Sequence, residues 1–86
     1  MKCSCCGRKK KLFESFEDLG KGGNVCVSCS DIMYRIHDAV TSNNKADYQD
    51  NKKIIDSYIQ KKKTSKEFEI WFSTDFMTRN QINVNS

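Results

Sequence analysis

The chain has 86 residues, a formal net charge of +4 at pH 7, no proline and five cysteines. This length suits one small domain, in which apolar burial alone gives marginal stability. Because no run approaches the ~18 apolar residues of a membrane span, the composition predicts a soluble chain with no membrane partner. The start at Met1-Lys2-Cys3 lacks the apolar core of a signal peptide, so we expect a reducing, cytoplasmic location.

Four of the five cysteines follow the pattern C-x2-C-x19-C-x2-C, namely Cys3, Cys6, Cys26 and Cys29. Two such pairs supply the four thiolates that a tetrahedral Zn²⁺ prefers, and the spacing is typical of a structural zinc site. A four-sulfur site has no open coordination position, so it stabilises a fold and does not activate water. The alternative is a disulfide framework, which the odd cysteine count and the expected reducing location disfavour. The pattern therefore predicts bound Zn²⁺.

The fifth cysteine, Cys5, lies between the two members of the first pair. Cys3 and Cys6 keep the two-residue spacing that the second pair also has, and Gly7 directly after them tolerates the positive φ that such a turn requires. We therefore expect Cys5 to be a spare, partly exposed thiol that does not bind the metal.

Basic residues cluster in two short runs, Arg8-Lys9-Lys10-Lys11 and Lys61-Lys62-Lys63, while acidic residues are interspersed through the chain. Four thiolates and one Zn²⁺ carry −2 together, which would lower the net charge to about +2. Short lysine runs are most often solvated faces. Nucleic-acid binding through the run from Arg8 to Lys11 is nevertheless the second functional hypothesis.

The chain between and after the cysteine pairs predicts a hairpin followed by a helix. Residues 11–16 and residues 24–25 are expected as short strands, joined through the glycines at positions 20, 22 and 23. Phe13 and Phe16 would either pack in the core or cover the metal site. The helix should begin at the second cysteine pair, with Ser28 or Ser30 as its cap, and end near residue 41. Its apolar stripe comprises Ile32, Ile36, Ala39 and Val40.

Two further helices are predicted. The first covers residues 46–61, with an apolar face formed by Tyr48, Ile55, Tyr58 and Ile59. A capping box from Thr64 to Glu67 opens the second. A strand is the alternative here, because apolar and polar residues also alternate from position 68 to position 72. We expect three units: a metal module at 1–41, a helical extension at 45–79 and a flexible tail at 80–86.

The third helix concentrates large apolar residues. Its aromatic side chains either pack on the preceding helices or form an interaction surface, since Phe, Trp and Met are enriched at interfaces. The possible surface comprises Phe68, Trp71, Phe72 and Phe76, together with Ile36 of the first helix. Because a short chain offers limited interior for them, we expect a homodimer through this surface, with a complex with another protein as the alternative.

A hairpin, a cysteine knuckle and a helix that begins at the last ligand pair together define a treble clef, so the expected fold class is a small zinc-stabilised α+β module followed by two helices. The segment Cys3–Arg8 and the segment Val25–Met33 resemble the N-terminal zinc-binding domain of the ClpX unfoldase family. That resemblance implies a dimeric treble clef that docks substrates and adaptors.

A second resemblance extends further along the chain. The second cysteine pair, Thr41-Ser42 and Ala46-Asp47-Tyr48 before a lysine-bearing helix are similar to the Gin family of anti-sigma factors. This resemblance implies a zinc-stabilised dimer whose partner is a protein. Both resemblances favour a regulatory or adaptor protein that is not an enzyme. His37 lies about 12 Å along the helix from Cys29, too far to be a ligand, and we expect it at the surface.

Overall fold

The computed structural model describes residues 1–81, and the predicted tail at 80–86 therefore falls mostly outside the described residues. Strand β1 (Glu17–Asp18) pairs with β2 (Asn24–Val25) in an antiparallel hairpin closed by a 3₁₀ turn at Gly20–Gly22. Two long helices follow, α1 (Val27–Ser42) and α2 (Lys45–Gln60). The last part is one continuous helical segment: α3 (Lys66–Trp71), a π-helical stretch (Phe72–Phe76) and α4 (Met77–Arg79). The expected small α+β fold, with a short hairpin before the helices, is confirmed.

The first strand does not lie where the sequence predicted it. Residues 11–16 form a turn and loop, and the pairing begins only at Glu17, opposite Val25. Leu12 and Phe13 are 84 % and 95 % exposed, so the expectation that Phe13 packs in the core or covers the metal site was wrong. Phe16 does pack against the core and lies 5.8 Å below the guanidinium of Arg8. Residues 11–14 are instead held in a turn, in which Glu14 contacts both the Arg8 guanidinium and the N–H of Lys11.

Helix α1 begins at Val27, directly after Cys26, and neither predicted serine caps it. Cys26 itself holds the extended N-cap conformation, and its carbonyl accepts a hydrogen bond from the N–H of Ser30 at 3.0 Å. The helix ends at Asn43, whose φ of 55° is left-handed, and the N–H of Asn44 bonds to the carbonyl of Ala39 at 2.8 Å. This is a Schellman ending. The predicted end near residue 41 is confirmed.

Helix α2 begins one residue earlier than predicted, because Asn44 caps it. The Asn44 side chain accepts a hydrogen bond from the N–H of Asp47 at 3.1 Å, and its amide group donates to the Asp47 carboxylate at 2.9 Å. Asn43 and Asn44 form the short turn between α1 and α2. The two helices are antiparallel and pack against each other along their apolar faces. The predicted faces are confirmed: Ile32, Ile36, Ala39, Tyr48 and Ile55 are buried, and Val40, Tyr58 and Ile59 are partly buried against the core.

The segment after α2 is helical, and the strand alternative is wrong. Ser65, not Thr64, is the N-cap of α3: its hydroxyl accepts from the N–H of Phe68 at 3.1 Å. The hydroxyl of Thr64 instead donates to Glu69 at 2.8 Å. Because the segment is helical, Phe68 is fully buried whereas Ile70, which a strand would place on the same face, is 55 % exposed.

The π-helical stretch aligns three phenylalanine rings. In an α-helix a position four residues further on is rotated by about 40°, so three such positions would diverge. The wider π turn reverses part of that rotation. The rings of Phe68 and Phe72 stack at 5.6 Å with a 17° interplanar angle, and those of Phe72 and Phe76 stack at 5.3 Å with a 14° angle.

One hydrophobic core joins the cysteine-containing end to the helices. Its members come from every part of the described chain and include Cys3, Val25, Cys29, Ile36, Ile55 and Phe68. The helical extension is connected directly to the first knuckle, because the N–H of Ser65 donates to the carbonyl of Ser4 at 2.8 Å. The domain boundaries at 1–41 and 45–79 stay a prediction. Among residues 1–81, no helix has the length and apolar character needed to cross a bilayer.

Candidate metal centre and adjoining groove

The first cysteine pair is held by a tight turn from Cys3 to Gly7. The N–H of Gly7 donates to the Cys3 carbonyl at 2.9 Å, and the N–H of Cys6 donates to the Cys3 sulfur at 3.4 Å. Gly7 has a φ of 78°, as the sequence predicted. It also passes so close to the α2–α3 turn that an added Cβ would lie 2.9 Å from the Lys63 carbonyl. Glycine at this position therefore serves both the turn and the packing.

The second pair sits where the hairpin meets α1. Cys26 directly follows β2, and Cys29 lies in the first turn of the helix. The N–H of Cys26 reaches across to the Cys3 sulfur at 3.3 Å, so one sulfur of the first pair accepts backbone hydrogen bonds from both knuckles. The positive end of the α1 dipole lies at this pair and stabilises thiolate charge.

The four sulfurs of Cys3, Cys6, Cys26 and Cys29 all lie within 4.8 Å of one another. A Zn–S bond of about 2.3 Å in tetrahedral geometry places sulfurs about 3.8 Å apart. The Cys6 and Cys26 sulfurs are 3.9 Å apart, close to that value and nearly twice the ~2.05 Å of a disulfide bond. All five cysteines are free thiols. The cluster fits a four-coordinate metal ion and does not fit a disulfide framework.

Hydrogen bonding within the cluster favours charge on one sulfur. The thiol of Cys29 and the backbone N–H groups of Cys6 and Cys26 lower the pKa of Cys3 to about 4. The pKa of Cys29 is raised, mainly because its proton is shared with Cys3. Burial raises the pKa of Cys6. This arrangement suits a cation, because metal ligation requires cysteine sulfurs in the thiolate form.

Cys5 differs from the expected spare thiol. It is fully buried rather than partly exposed, and its sulfur is not in the four-sulfur cluster. The turn from Cys3 to Gly7 sends Cys3 and Cys6 to the cluster and leaves Cys5 buried beside it, where its side chain is hydrogen-bonded to Cys29.

The basic run beside the metal site is only partly available for a ligand. Arg8 forms a bidentate ion pair with Glu14, with Nη1 to Oε1 at 2.9 Å and a second, shorter contact from Nη2 to Oε2. This pair raises the pKa of Arg8 and lowers that of Glu14 to about 2. Lys9, Lys10 and Lys11 are exposed.

The proposed interaction surface on the third helix is mostly interior. Phe68, Phe72, Phe76 and Ile36 are at most 8 % exposed, because the helix packs its aromatic face onto the core. The structure therefore corrects that expectation for four of the five residues. The fifth, Trp71, is half-buried and packs on the 3₁₀ turn, where a Cβ added to Gly22 would lie 2.7 Å from its ring. Because four of these residues are buried within one chain, they no longer support the expected homodimer, which stays a prediction.

An open groove of about 370 Å³ lies between the hairpin, α1 and the C-terminal helical segment. Leu19, Met33, Trp71 and Phe76 supply its apolar lining. Its polar lining residues are Glu17, Ser30, Tyr34, His37, Arg79 and Asn80. The volume is at the lower end of the range for ligand sites, about 300–1,000 Å³. The groove suits one or two side chains.

Hydrogen bonds fix the polar groups around this groove. The carboxylate of Glu17 accepts from the hydroxyl of Ser30 and, at 2.8 Å, from that of Tyr34, whose pKa is raised by the contact. On the opposite side, the Asn80 side chain pairs with His37 Nδ1 at 2.8 Å. Asn80 is buried, and its side chain donates to the Phe76 carbonyl at 3.0 Å. His37 is exposed, as expected.

Sequence reasoning missed the groove. Glu17 lies 13 and 17 residues from the two hydroxyl groups that hold it, and Asn80 lies 43 residues from His37. Neither pairing follows a local periodicity. Only the aromatic content of the third helix pointed here, through Trp71 and Phe76.

No protein family, curated protein or solved structure matches this chain. The similarity to the ClpX and Gin families thus rests on the cysteine spacing and the following helix, and no family is assigned. What the structure defines is a class: a small α+β protein in which four clustered cysteines could hold a metal ion.

Proposed function

We propose that this protein is a zinc-stabilised regulatory or adaptor module that acts through protein contacts and not as an enzyme. Zn²⁺ is the ion we assign to Cys3, Cys6, Cys26 and Cys29, because four thiolates at tetrahedral spacing are its preferred structural site. Such a site is closed to substrates. The metal stabilises the fold, and the surface around it does the recognition.

The observation that carries the interaction role is the groove beside Trp71. It combines an apolar lining with fixed polar groups, which is the usual composition of a recognition site. Aromatic residues and Met at such a site are those enriched in the centre of protein interfaces. Trp71 and Phe76, from the originally proposed interaction surface, both line it.

Charge indicates what the groove would accept. Within residues 1–81, the ion pairs are Arg8–Glu14 and Lys52–Asp56, and neither involves Glu17. The Glu17 carboxylate is oriented by two neutral hydroxyl groups, so its negative charge has no cationic partner in the described chain. We therefore assign the groove to a partner segment with an apolar side chain next to a Lys or Arg, the apolar group entering between Trp71 and Met33.

Selection of a random peptide library on the zinc-loaded protein tests this function. Trp71 is the single tryptophan, so its emission reports whether the groove is occupied. We expect selected peptides that pair an apolar residue with a basic one and change the Trp71 emission on binding. Glu17→Gln should weaken them about tenfold, because a charge-assisted contact is lost.

The matched control is Asp50→Asn, which removes an exposed carboxylate from α2, outside the groove. It should leave the peptide affinity unchanged. Peptides that bind without altering Trp71 emission, or equally well to Glu17→Gln, would overturn the assignment of the groove.

The alternative function is nucleic-acid binding through residues 8–11. The structure disfavours it, because Arg8, the residue best suited to bind phosphate, is paired with Glu14. Arg is suited to phosphate because its planar fork makes two parallel hydrogen bonds, and here Glu14 accepts both. Three exposed lysines remain for that role.

A further inference from the structure

The surface at the cysteine-containing end has a feature that the protein-contact proposal does not use: a loop with two large apolar side chains fully presented to solvent. Phe13 is 95 % exposed and Leu12 is 84 % exposed, the highest values among the large apolar residues of the described chain. Met1, at 72 %, lies beside the base of the same loop, because the N–H of Lys10 donates to its carbonyl at 2.9 Å. A single exposed apolar side chain is ordinary, but adjoining exposed apolar side chains are typical of an interaction site.

Hydrogen bonds and an ion pair fix the conformation of this loop, and in that conformation the two apolar side chains are exposed. Glu14 closes it through four contacts: two with the Arg8 guanidinium, one from the N–H of Lys11 at 3.1 Å and one from its own N–H to the Lys11 carbonyl at 3.2 Å. At the base, Lys2 and Lys9 form an antiparallel bridge. Leu12 and Phe13 occupy the tip between these braces and face away from the core.

The end of the molecule that carries this loop has more positive charge than the order of the sequence indicated. Lys2, Lys9, Lys10 and Lys11 are exposed on the loop and its base. The second lysine run, at positions 61–63, is fifty residues away in sequence, but the backbone of Lys63 contacts Gly7 and Ser65 is hydrogen-bonded to Ser4. Folding therefore brings both runs to the same end of the molecule. The one carboxylate inside the loop, Glu14, is neutralised by Arg8.

We propose that this basic loop, residues 8–14 with the apolar tip Leu12–Phe13, docks on anionic lipid surfaces. Lysines near such a surface are attracted to its negative potential, and apolar side chains at the tip can enter the headgroup and acyl boundary. The lipid surface is favoured over nucleic acid because Leu12 has no aromatic face on which a base could stack, and because Arg8 is occupied. No spanning helix is needed for this mode of binding, which is peripheral and reversible. The proposal therefore replaces the expectation of no membrane partner, which considered only spanning segments.

Vesicle co-sedimentation of the full zinc-loaded chain tests the proposal. The probes are vesicles of phosphatidylcholine alone and vesicles of phosphatidylcholine with phosphatidylserine in a ratio of seven to three. We expect binding only to the anionic vesicles, and weaker binding as the salt concentration rises through about 0.15 M. Replacing both Leu12→Ser and Phe13→Ser should lower the partition coefficient about tenfold, because the tip no longer enters the lipid.

Matched control variants distinguish a role of this loop from the effect of losing any exposed apolar side chain or any lysine. Ile70→Ser removes another exposed apolar side chain, 55 % exposed on α3, and should leave binding unchanged. Lys10→Ser should weaken binding about fivefold, since one lysine near an anionic surface is lost, whereas Lys53→Ser on α2 should not. All these positions are exposed, and one zinc per chain confirms that each variant is folded.

Three outcomes would overturn the proposal. The first is a wild-type chain that stays in the supernatant with anionic vesicles. The second is a tip variant that binds them as tightly as the wild type does. The third is a single-stranded oligonucleotide that binds the chain through Phe13 when vesicles do not, which would assign the loop to nucleic acid. Because Glu17 and Trp71 lie outside this loop, the peptide experiment and the vesicle experiment can fail independently.

Discussion

The cysteine-containing end and the helical end of this chain are ordered by different forces. From Met1 to Cys29 the buried side chains are mostly sulfurs, with Val25 as the fully buried branched residue, and the backbone is mainly turns and loops. From α2 onward, burial comes from Tyr48, Ile55 and the stacked phenylalanines. A segment with few apolar groups gains little stability from its own core, so a metal ion at the four cysteines would stabilise this end most. The helical end has its own apolar packing, and a hydrogen bond from the Ser65 N–H to the Ser4 carbonyl also connects it to the first cysteine pair.

The aromatic residues of the two ends also differ: one at the helical end is buried, and one at the cysteine-containing end is exposed. Phe68 is fully buried whereas Phe13 is almost fully exposed, although each has a charged or polar residue on at least one side in the sequence. Helix geometry directs Phe68, Phe72 and Phe76 to one face. The loop that Glu14 closes has no such face and directs Phe13 to solvent. Local geometry, more than residue type, determines which aromatic is available for binding.

Metal removal should have the largest effect and should act first on the cysteine-containing end. Zinc ligation contributes on the order of 10 kcal/mol to small zinc folds, more than the net stability of a typical domain. We expect one Zn²⁺ per chain by elemental analysis, and loss of the dispersed amide resonances of residues 1–29 when a chelator is added. Cys26→Ala should have the same effect.

Cys5→Ala is the matched control for the metal site, because it removes a fifth buried sulfur that is outside the cluster. It should keep one zinc per chain and lose only a small amount of packing energy. A chain that loses its zinc in Cys5→Ala and keeps it in Cys3→Ala would show that the ligand set is wrong.

Phe68→Ala should destabilise the helical end by about 3–5 kcal/mol, because a fully buried aromatic side chain is deleted and its cavity cannot collapse fully. Chemical denaturation of the zinc-loaded protein measures the change. Ile70→Ala, at 55 % exposure two residues away, should change the free energy of unfolding by no more than about 0.5 kcal/mol. Equal losses at the two positions would mean that the third helix is not oriented as described.

The smallest expected effect concerns the ion pair that braces the loop. The hydrogen bonds from Arg8 and from the Lys11 N–H lower the pKa of Glu14 from 4.5 to about 2. Since the folded-state pKa is depressed, the stabilisation is present above pH 4.5 and is lost as the pH falls towards 2. A carbon-detected titration of the Glu14 carboxyl should show the low midpoint. Arg8→Gln should return it towards 4.5, whereas a wild-type midpoint already near 4.5 would contradict the brace.

Several features could be predicted because they depend on local chemistry. The four-cysteine cluster follows from the spacing of two knuckles, and Gly7 has the positive φ that the turn requires. The apolar faces of α1 and α2 follow from the 3.6-residue period, and the helix boundaries are correct within a few residues. The third segment was predicted as a helix, but its cap at Ser65 and its π-helical stretch were not. Thr64 and Ser65 are adjacent and both suited to an N-cap, so composition alone does not choose between them.

The sequence by itself determined the two cysteine pairs, the number of long helices and their buried faces, since each of these depends on residues a few positions apart. Only the tertiary structure decided which surfaces are free. It buried Cys5 and four of the five residues proposed for interaction, and it formed a groove from Glu17, Trp71 and Asn80. It also placed Lys63 beside Gly7, so that two lysine runs fifty residues apart lie at the same end of the molecule. The physical reason is that exposure and long-range pairing depend on how elements pack, and packing joins residues that no sequence period relates.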